Sequence, residues 1–208
     1  MIEKVDTKSR ILDTAEQLFG MNGFEGTSLR DITTAAEVNL AAINYHFQSK
    51  DSLIDAIVAR RIEPVNKKRL ELLDAAGPHP SLEQILCAFM APVMRVKADA
   101  LAPLMGRILS NPELFVERVF HKHLAPVSQR FIDALSQALP DLPPPELLWR
   151  LHFSVGVMTH TMLWGRILPR LTNGVCDISD REALVERAVR FVAAGFRAPA
   201  SKGERLKK

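Results

Sequence analysis

The chain has 208 residues, enough for one sizeable core or for a small module beside a larger one. Its hydrophobic share of 47% excludes a disordered chain, and sparse glycine with abundant Leu, Ala, Arg and Glu favours helix nearly throughout. The net charge of +3 invites a nucleic-acid partner, yet residues 1–50 carry five basic residues (Lys4, Lys8, Arg10, Arg30, Lys50) against seven Asp and Glu, so charge alone decides little.

Apolar positions Ile11, Ala15, Leu18 and Phe19 recur at helical spacing and predict a first helix over Thr7 to Met21, with Gly23 supplying a left-handed cap. Ser28 with Asp31 forms a capping box for a short second helix reaching Ala36. After the break Glu37-Val38-Asn39, Asn39 caps a third short helix, Leu40 to His46. Ser49 caps a fourth that carries Leu53, Ile54, Ile57, Val58 and Ile62 toward Ala76, and Pro64 is expected to kink or break it.

The run Gly77-Pro78-His79-Pro80 is the clearest punctuation in the chain. Ser81 with Gln84 opens the next helix, and further helices are predicted at roughly 100–110, 112–139, 144–168 and 180–197, the last opened by a capping box of Ser179 with Glu182. The expected fold is therefore all-α, with about nine helices. An N-terminal helix-turn-helix domain occupies residues 1–50 and a connecting helix about 50–76. A larger helical domain covers 77–200, and a basic tail covers 201–208.

Several function classes find no support. The polar start MIEKVDTKSR is unlike a secretory signal, and the longest apolar stretch, 15 residues between Arg150 and Arg166, contains His152 and His160 and is too short to span a bilayer. The cytoplasm is therefore the expected compartment. Cys87 and Cys176 lack motif spacing and are read as ordinary buried thiols. His121 and His123 point about 200° apart on a helix, and His152 and His160 are separated by about 12 Å along one, so neither pair makes a metal site. No phosphate loop, nucleophile elbow or His-Glu-x-x-His occurs, so no enzyme, metal or cofactor is expected.

The first three predicted helices have the layout of a helix-turn-helix. In the third, Ile43 and Phe47 lie on one side, joined by Val38, whereas Ala41, Ala42 and Tyr45 cluster on the other, flanked by Asn44 and His46. Small residues there admit the backbone to a major groove, where an alanine methyl meets thymine and Asn44 pairs with an adenine edge. Tyr45, His46 and Lys50 are placed for phosphate, as are Thr27, Ser28 and Arg30 around the start of the second helix, and Asn39 is a further DNA-binding candidate.

On these residues, Thr7 to Ala59 resembles the DNA-binding domain of the TetR family of bacterial regulators. The resemblance rests on ILDTAEQLFGMNGFEGTSLRDIT and VNLAAINYHFQSKDSLIDAIV, above all Tyr45-His46-Phe47 followed by Ser49-Lys50. The family usually places Gly where this chain has Glu37, a position where positive φ costs another residue on the order of 1 kcal/mol.

The resemblance implies a homodimeric regulator, expected to be a repressor, whose second domain binds a small apolar effector and releases a near-palindromic operator. Independently of it, Leu148, Leu151, Val155, Met158 and Met162 form an apolar stripe widened by Leu147, Phe153, Val157 and Trp164. With Leu184, Ala188 and Phe191 of the last helix it predicts a two-fold, four-helix interface. Phe89, Met90, Met94, Met105, Ile108, Leu109 and Phe120 are the candidate lining of an effector cavity, although such stripes are more often plain core. The segment PPPELLWRLHF, through Trp149, Arg150, His152 and Phe153, is similar to a subgroup that senses long-chain fatty acids or their CoA esters. Such a ligand needs a buried cation, for which Arg107, Arg95 and His152 are the candidates. The competing reading is a partner-binding helical dimer without specific DNA recognition, favoured by the acidic balance of residues 1–50 and by Glu37.

Overall fold

The computed structural model describes residues 6–96, 106, 113 and 115–200, without the side chains of 115, 117 and 118, and the described residues contain helices and no strand. The elements in order are α1 (Thr7–Asn22), α2 (Leu29–Ala35), α3 (Leu40–Phe47), α4 (Lys50–Ala75), α5 (Leu82–Arg95), a π-helical stretch Phe115–Leu124, α6 (Ala125–Ala138), α7 (Pro144–Trp164), a 3-10 turn Gly165–Ile167, α8 (Leu168–Leu171) and α9 (Arg181–Arg197). The helix predicted at 100–110 lies outside the described residues. No helix among them is long and apolar enough to cross a membrane.

The described residues fall into two compact units, one built from the chain up to Pro64 with residues 115–124, the other from Val65 to Val96 with residues 125–200. Each has its own core. In the first, Ile11, Ala15, Phe19, Ile32, Ile43, Leu53 and Ile57 are wholly buried, with Val119 of the π-helical stretch. The i→i+5 turns of that stretch bring Val119 and Leu124 toward one side, where an α-helix holds them about 140° apart. Lys122 and Asp55 form an ion pair within the same unit.

The ends of α1 and α2 follow from a few residues. Gly23 takes φ 80° and ψ 172°, a region open to glycine alone, and its N–H donates to Phe19 O at 3.0 Å. A Cβ on Gly26 would stand 2.5 Å from Asn22 O, so the connection closes only with glycine there. The turn after α2 is a Schellman motif: the Val38 N–H donates to Thr33 O at 3.0 Å and the Glu37 N–H to Thr34 O at 3.3 Å.

Glu37 occupies the left-handed position of that motif at φ 51°, so the turn forms despite the missing glycine. The strain predicts that Glu37→Gly stabilises the first unit by about 1 kcal/mol, read as a raised urea midpoint at unchanged m-value. An unchanged midpoint would mean that the turn carries no strain.

Pro64 does not break α4, which runs continuously from Lys50 to Ala75. The start of α9 also departs from expectation. Asp180, not Ser179, is the cap, its carboxylate accepting from Ala183 N at 3.0 Å. The Ser179 hydroxyl turns back to donate to Asp177, and Glu182 is drawn to Arg95, whose Nε donates to it at 2.8 Å. A capping box needs both residues free for the backbone, and here each has a stronger charged partner. Both cysteines are free and half-buried.

Candidate functional site

The second and third helices meet at the Schellman turn with the register of α3 set by burial. Ile43 and Phe47 are sealed into the first core, 0% and 4% exposed, so α3 cannot rotate about its axis. Its N-terminus is capped by Asn39, whose Oδ1 accepts from Ala42 N at 2.9 Å. The outward side then presents Leu40, Ala41, Asn44, Tyr45 and Gln48, with Tyr45 84% exposed. His46 is half-buried, its ring edge-on to Tyr45 at 5.0 Å. Arg30 is exposed on α2, and Lys50 is half-buried at the start of α4.

Four of the residues predicted on this surface have other work. Ala42 is half-buried and packs against the margin of the core. The Asn39 carboxamide oxygen is committed to the cap. Thr27 is fully buried and its hydroxyl donates to Gly23 O at 2.9 Å and Leu18 O at 3.3 Å, tying α2 to the end of α1. Ser28 is used up in its capping box: Oγ accepts from Asp31 N at 3.2 Å and donates to Asp31 Oδ2 at 2.7 Å, and its N–H donates to the same oxygen at 2.8 Å. The start of α2, expected to attract phosphate, is therefore occupied by the Asp31 carboxylate, which these Ser28 hydrogen bonds, the backbone one first, hold below its ordinary pKa.

The acidic balance of the first 50 residues is neutralised away from this face. Arg60 on α4 donates to Asp13 at 2.7 Å and also to Glu16, and Arg61 Nε donates to Glu16 at 2.7 Å. Two acids of α1 are thereby paired with two arginines that lie beyond the N-terminal segment in sequence.

In the second unit, α7 has two distinct sides. Leu147, Leu151, Ser154 and Met158 face the unit's own core, with Ala188 of α9. Val155 and Leu184 pack at its margin, and Met162 is half-buried beside a small cavity. Leu151, Met158 and Ala188 therefore belong to the subunit core rather than to a partner face, since the stripe at helical period is the one that its own helices cover first. Leu148 and Phe191 remain outside, 50% and 70% exposed.

The free side of α7 carries Trp149, His152, Phe153, Gly156, His160 and Trp164, with Trp149 stacked on Phe153 at 5.8 Å. Gly156 has open space where a Cβ would be. On α9, Phe191, Ala194 and Gly195 share the exposed side. The i, i+4, i+7, i+11 spacing of Trp149, Phe153, Gly156 and His160 was available in the sequence, but the apolar stripe beside it was stronger.

The described effector candidates have different surroundings. Phe89 is buried core, its ring 5.1 Å from Phe131. Phe120 belongs to the first unit. Met94 lines a cavity of about 120 Å³ with Val96, Met162 and Leu184, smaller than the roughly 300 Å³ of drug-sized sites. Met105, Arg107, Ile108 and Leu109 lie outside the described residues. A broader open groove of about 1150 Å³ runs along α5 and α9, but the Arg95–Glu182 and Arg197–Glu83 ion pairs cross it.

Of the other cation candidates, Arg95 is exposed and paired with Glu182, and His152 is exposed between Trp149 and Phe153. Sequence reasoning missed Arg69, which is only 5% exposed. Its Nε donates to Phe89 O at 2.8 Å, Nη1 to Asn66 Oδ1 at 3.3 Å and Nη2 to Met158 Sδ at 3.7 Å, and it stands 4.5 Å over the Phe89 ring. All of these are neutral partners. Burial lowers its pKa to about 10, so it keeps its charge at neutral pH.

Arg150, also buried, pairs with Glu146 at 3.2 Å and donates to Phe196 O at 2.7 Å and Ala198 O at 2.8 Å. It secures the carbonyl end of α9. The four residues of the PPPELLWRLHF resemblance thus form this tie and the exposed aromatic face. Among the described residues no group of three His, Cys, Asp or Glu side chains is arranged to hold a metal ion.

A capped short helix with a locked inner face and a free outer face, set across a tight turn from a second helix, defines a helix-turn-helix DNA-binding protein. The family profile described as "Tetracyclin repressor-like, C-terminal domain" matches residues 87–195, and that of "Bacterial regulatory proteins, tetR family" matches residues 11–57. The chain belongs to the TetR family, whose members are transcriptional regulators that bind DNA operators as dimers.

Among relatives, it is 36% identical over 83 residues to the probable HTH-type transcriptional regulator YttP of Bacillus subtilis (strain 168), a match covering 40% of each chain. It is 24% identical over 201 residues to the HTH-type transcriptional regulator UidR of Escherichia coli (strain K12), covering 94% of this chain and 92% of that one. Its fold is similar to a tetR-family regulatory protein from Rhodococcus RHA1, with a TM-score of 0.66 at 17% identity over 95% of this chain and all of that one.

Proposed function

We propose that this protein is a homodimeric repressor that reads a near-palindromic operator through α3 and releases it on binding a small apolar acid. The observation that carries the reading is the outward face of α3, held in one register by buried Ile43 and Phe47. Ala41 and Asn44 meet the groove, while Tyr45, His46, Arg30 and Lys50 serve the phosphates. With Asp13 and Glu16 paired to Arg60 and Arg61, and Glu37 completing the turn, little favours a dimer that has lost DNA recognition. The protein acts in the cytoplasm, where its operator is.

The partner face is the exposed side of α7 with that of α9: Trp149, Phe153, Gly156 and Trp164, beside Leu148, Phe191, Ala194 and Gly195. A dimer formed there relates its two recognition helices by a two-fold axis, the symmetry that half-sites about 34–36 Å apart require. Effector binding is transmitted through α4, which contributes residues to both units, and changes the spacing of the two recognition helices.

Arg69 supports an acid in the effector, because its partners among the described residues are all neutral. A buried ion without a counter-charge costs several kcal/mol, and an incoming carboxylate relieves that cost. Straight-chain carboxylates of graded length are therefore expected to release operator DNA, whereas alcohols of equal length act more weakly by about 10–100-fold, the worth of a charged hydrogen bond. Arg69→Met removes the difference. Equal action of acid and alcohol on the unaltered protein excludes this anchor.

The test of DNA binding is footprinting of the purified protein on the DNA flanking its own gene at two salt concentrations. A protected near-palindrome whose affinity falls steeply with salt establishes the regulator, because phosphate contacts release counterions. If no site is protected there or on genomic fragments, a partner-binding protein is the better reading.

A further inference from the structure

The base preference of the operator can be taken one step further, given that α3 is the reading helix as proposed above. We propose that α3 reads its half-site through thymine methyl groups and one adenine edge, with Leu40 as a specificity residue, and makes no guanine contact.

Three observations carry this. First, the chain from Asp31 to Ser49 contains neither Lys nor Arg, and bidentate recognition of guanine O6 and N7 relies on those side chains. Arg30 lies outside the stretch on α2, the helix that crosses the backbone in this motif, so its charge goes to phosphate. Second, Leu40 is 44% exposed at the first position of α3, on the side that also bears Asn44 and Gln48, with Ala41 adjoining. At 100° per residue, Leu40, Asn44 and Gln48 lie within about 80° of one another.

Third, the amide at the start of the helix is engaged: the Asn39 oxygen accepts from Ala42 N at 2.9 Å, and an adenine edge needs both the oxygen and the NH₂ of one amide. Asn44 has no such commitment within the turn, and it lies nearer than the C-cap Gln48 to the N-terminal part of α3 that contacts base edges, so it is the bidentate adenine reader. Leu40 and Ala41 offer only carbon, whose complement on a major-groove edge is the thymine C5 methyl. Apolar surface left in water by the free protein is covered when the methyls arrive, which lends the contact its affinity.

The experiment is selection of binding sites from a random duplex pool by the full-length protein, followed by single-atom changes in the selected site. Replacing thymine by uracil deletes the methyl alone. At two or more thymines of each half-site it is expected to lower affinity about 4-fold, the value of one buried methyl group. Replacing guanine by 7-deazaguanine removes N7 and is expected to change nothing in the segment facing α3. Leu40→Ala is expected to weaken binding and to abolish the uracil effect at one thymine while leaving the others intact. That loss of coupling separates a base contact from a structural role, and an unchanged melting curve confirms that the exposed substitution leaves the fold alone.

Insensitivity to uracil throughout, or a large loss with 7-deazaguanine, overturns the inference while leaving a sequence-specific regulator standing. A pool that yields no enriched sequence overturns both.

Discussion

Phe153→Glu is expected to convert the protein to a monomer and to lower operator affinity by about 10²–10⁴-fold, the range by which linking two binding modules raises avidity. Phe153 is 61% exposed and stacked on Trp149 in the middle of the free face of α7, next to Gly156, where a partner helix can approach closely. Aromatic anchors at the centre of an interface carry most of its energy, and a carboxylate there has to be desolvated without a counter-charge. Folding is not at risk, because the side chain is outside both cores. Light scattering after gel filtration reports the mass, and far-UV circular dichroism the intact helices. A variant that remains dimeric places the partner face elsewhere, and a monomer that keeps full operator affinity removes dimerisation from the DNA mechanism.

Phe19→Ala is expected to cost the DNA-binding unit about 3–5 kcal/mol. The ring is wholly buried and lies 5.2 Å from that of Phe24, so its removal leaves a cavity where α1 meets the connection to α2. The first core is small, and this loss is comparable to the whole stability that a module of its size can have. Operator binding should therefore disappear on warming well before the second unit unfolds, with the dimer persisting. The check is a thermal melt followed at once by DNA binding and by mass. A single transition with unchanged midpoint would show that Phe19 is not a keystone of this unit.

The capping of the helices was readable because a cap involves residues three apart. Ser28 with Asp31, Asn39 with Ala42 and Ser81 with Gln84 all formed as their spacing predicts. The exception is instructive: Ser179 and Glu182 have the same spacing, but Asp177 and Arg95 compete for them, and Arg95 is far away in sequence. The inner side of α3 was likewise readable from Ile43 and Phe47, whose period matches the helix. Thr27 misled, because a hydroxyl near a helix start serves phosphate or a neighbouring carbonyl with equal ease, and only the closeness of Leu18 O and Gly23 O decides.

What the chain specified from its order of residues was local: which segments are helical, where most of them begin, and the two-sided character of α3, because these depend on groups within one turn of each other. Tertiary structure alone decided which side of α7 is covered by its own unit and which is left exposed, since hydrophobic period marks a side without naming its neighbour. It also decided the charges. Arg60 and Arg61 neutralise Asp13 and Glu16 across more than 40 positions, and Arg69 ends up buried among Phe89, Asn66 and Met158, all neutral partners. A charge acts over ångströms in space, and nothing in the spacing of residues along the chain records those distances.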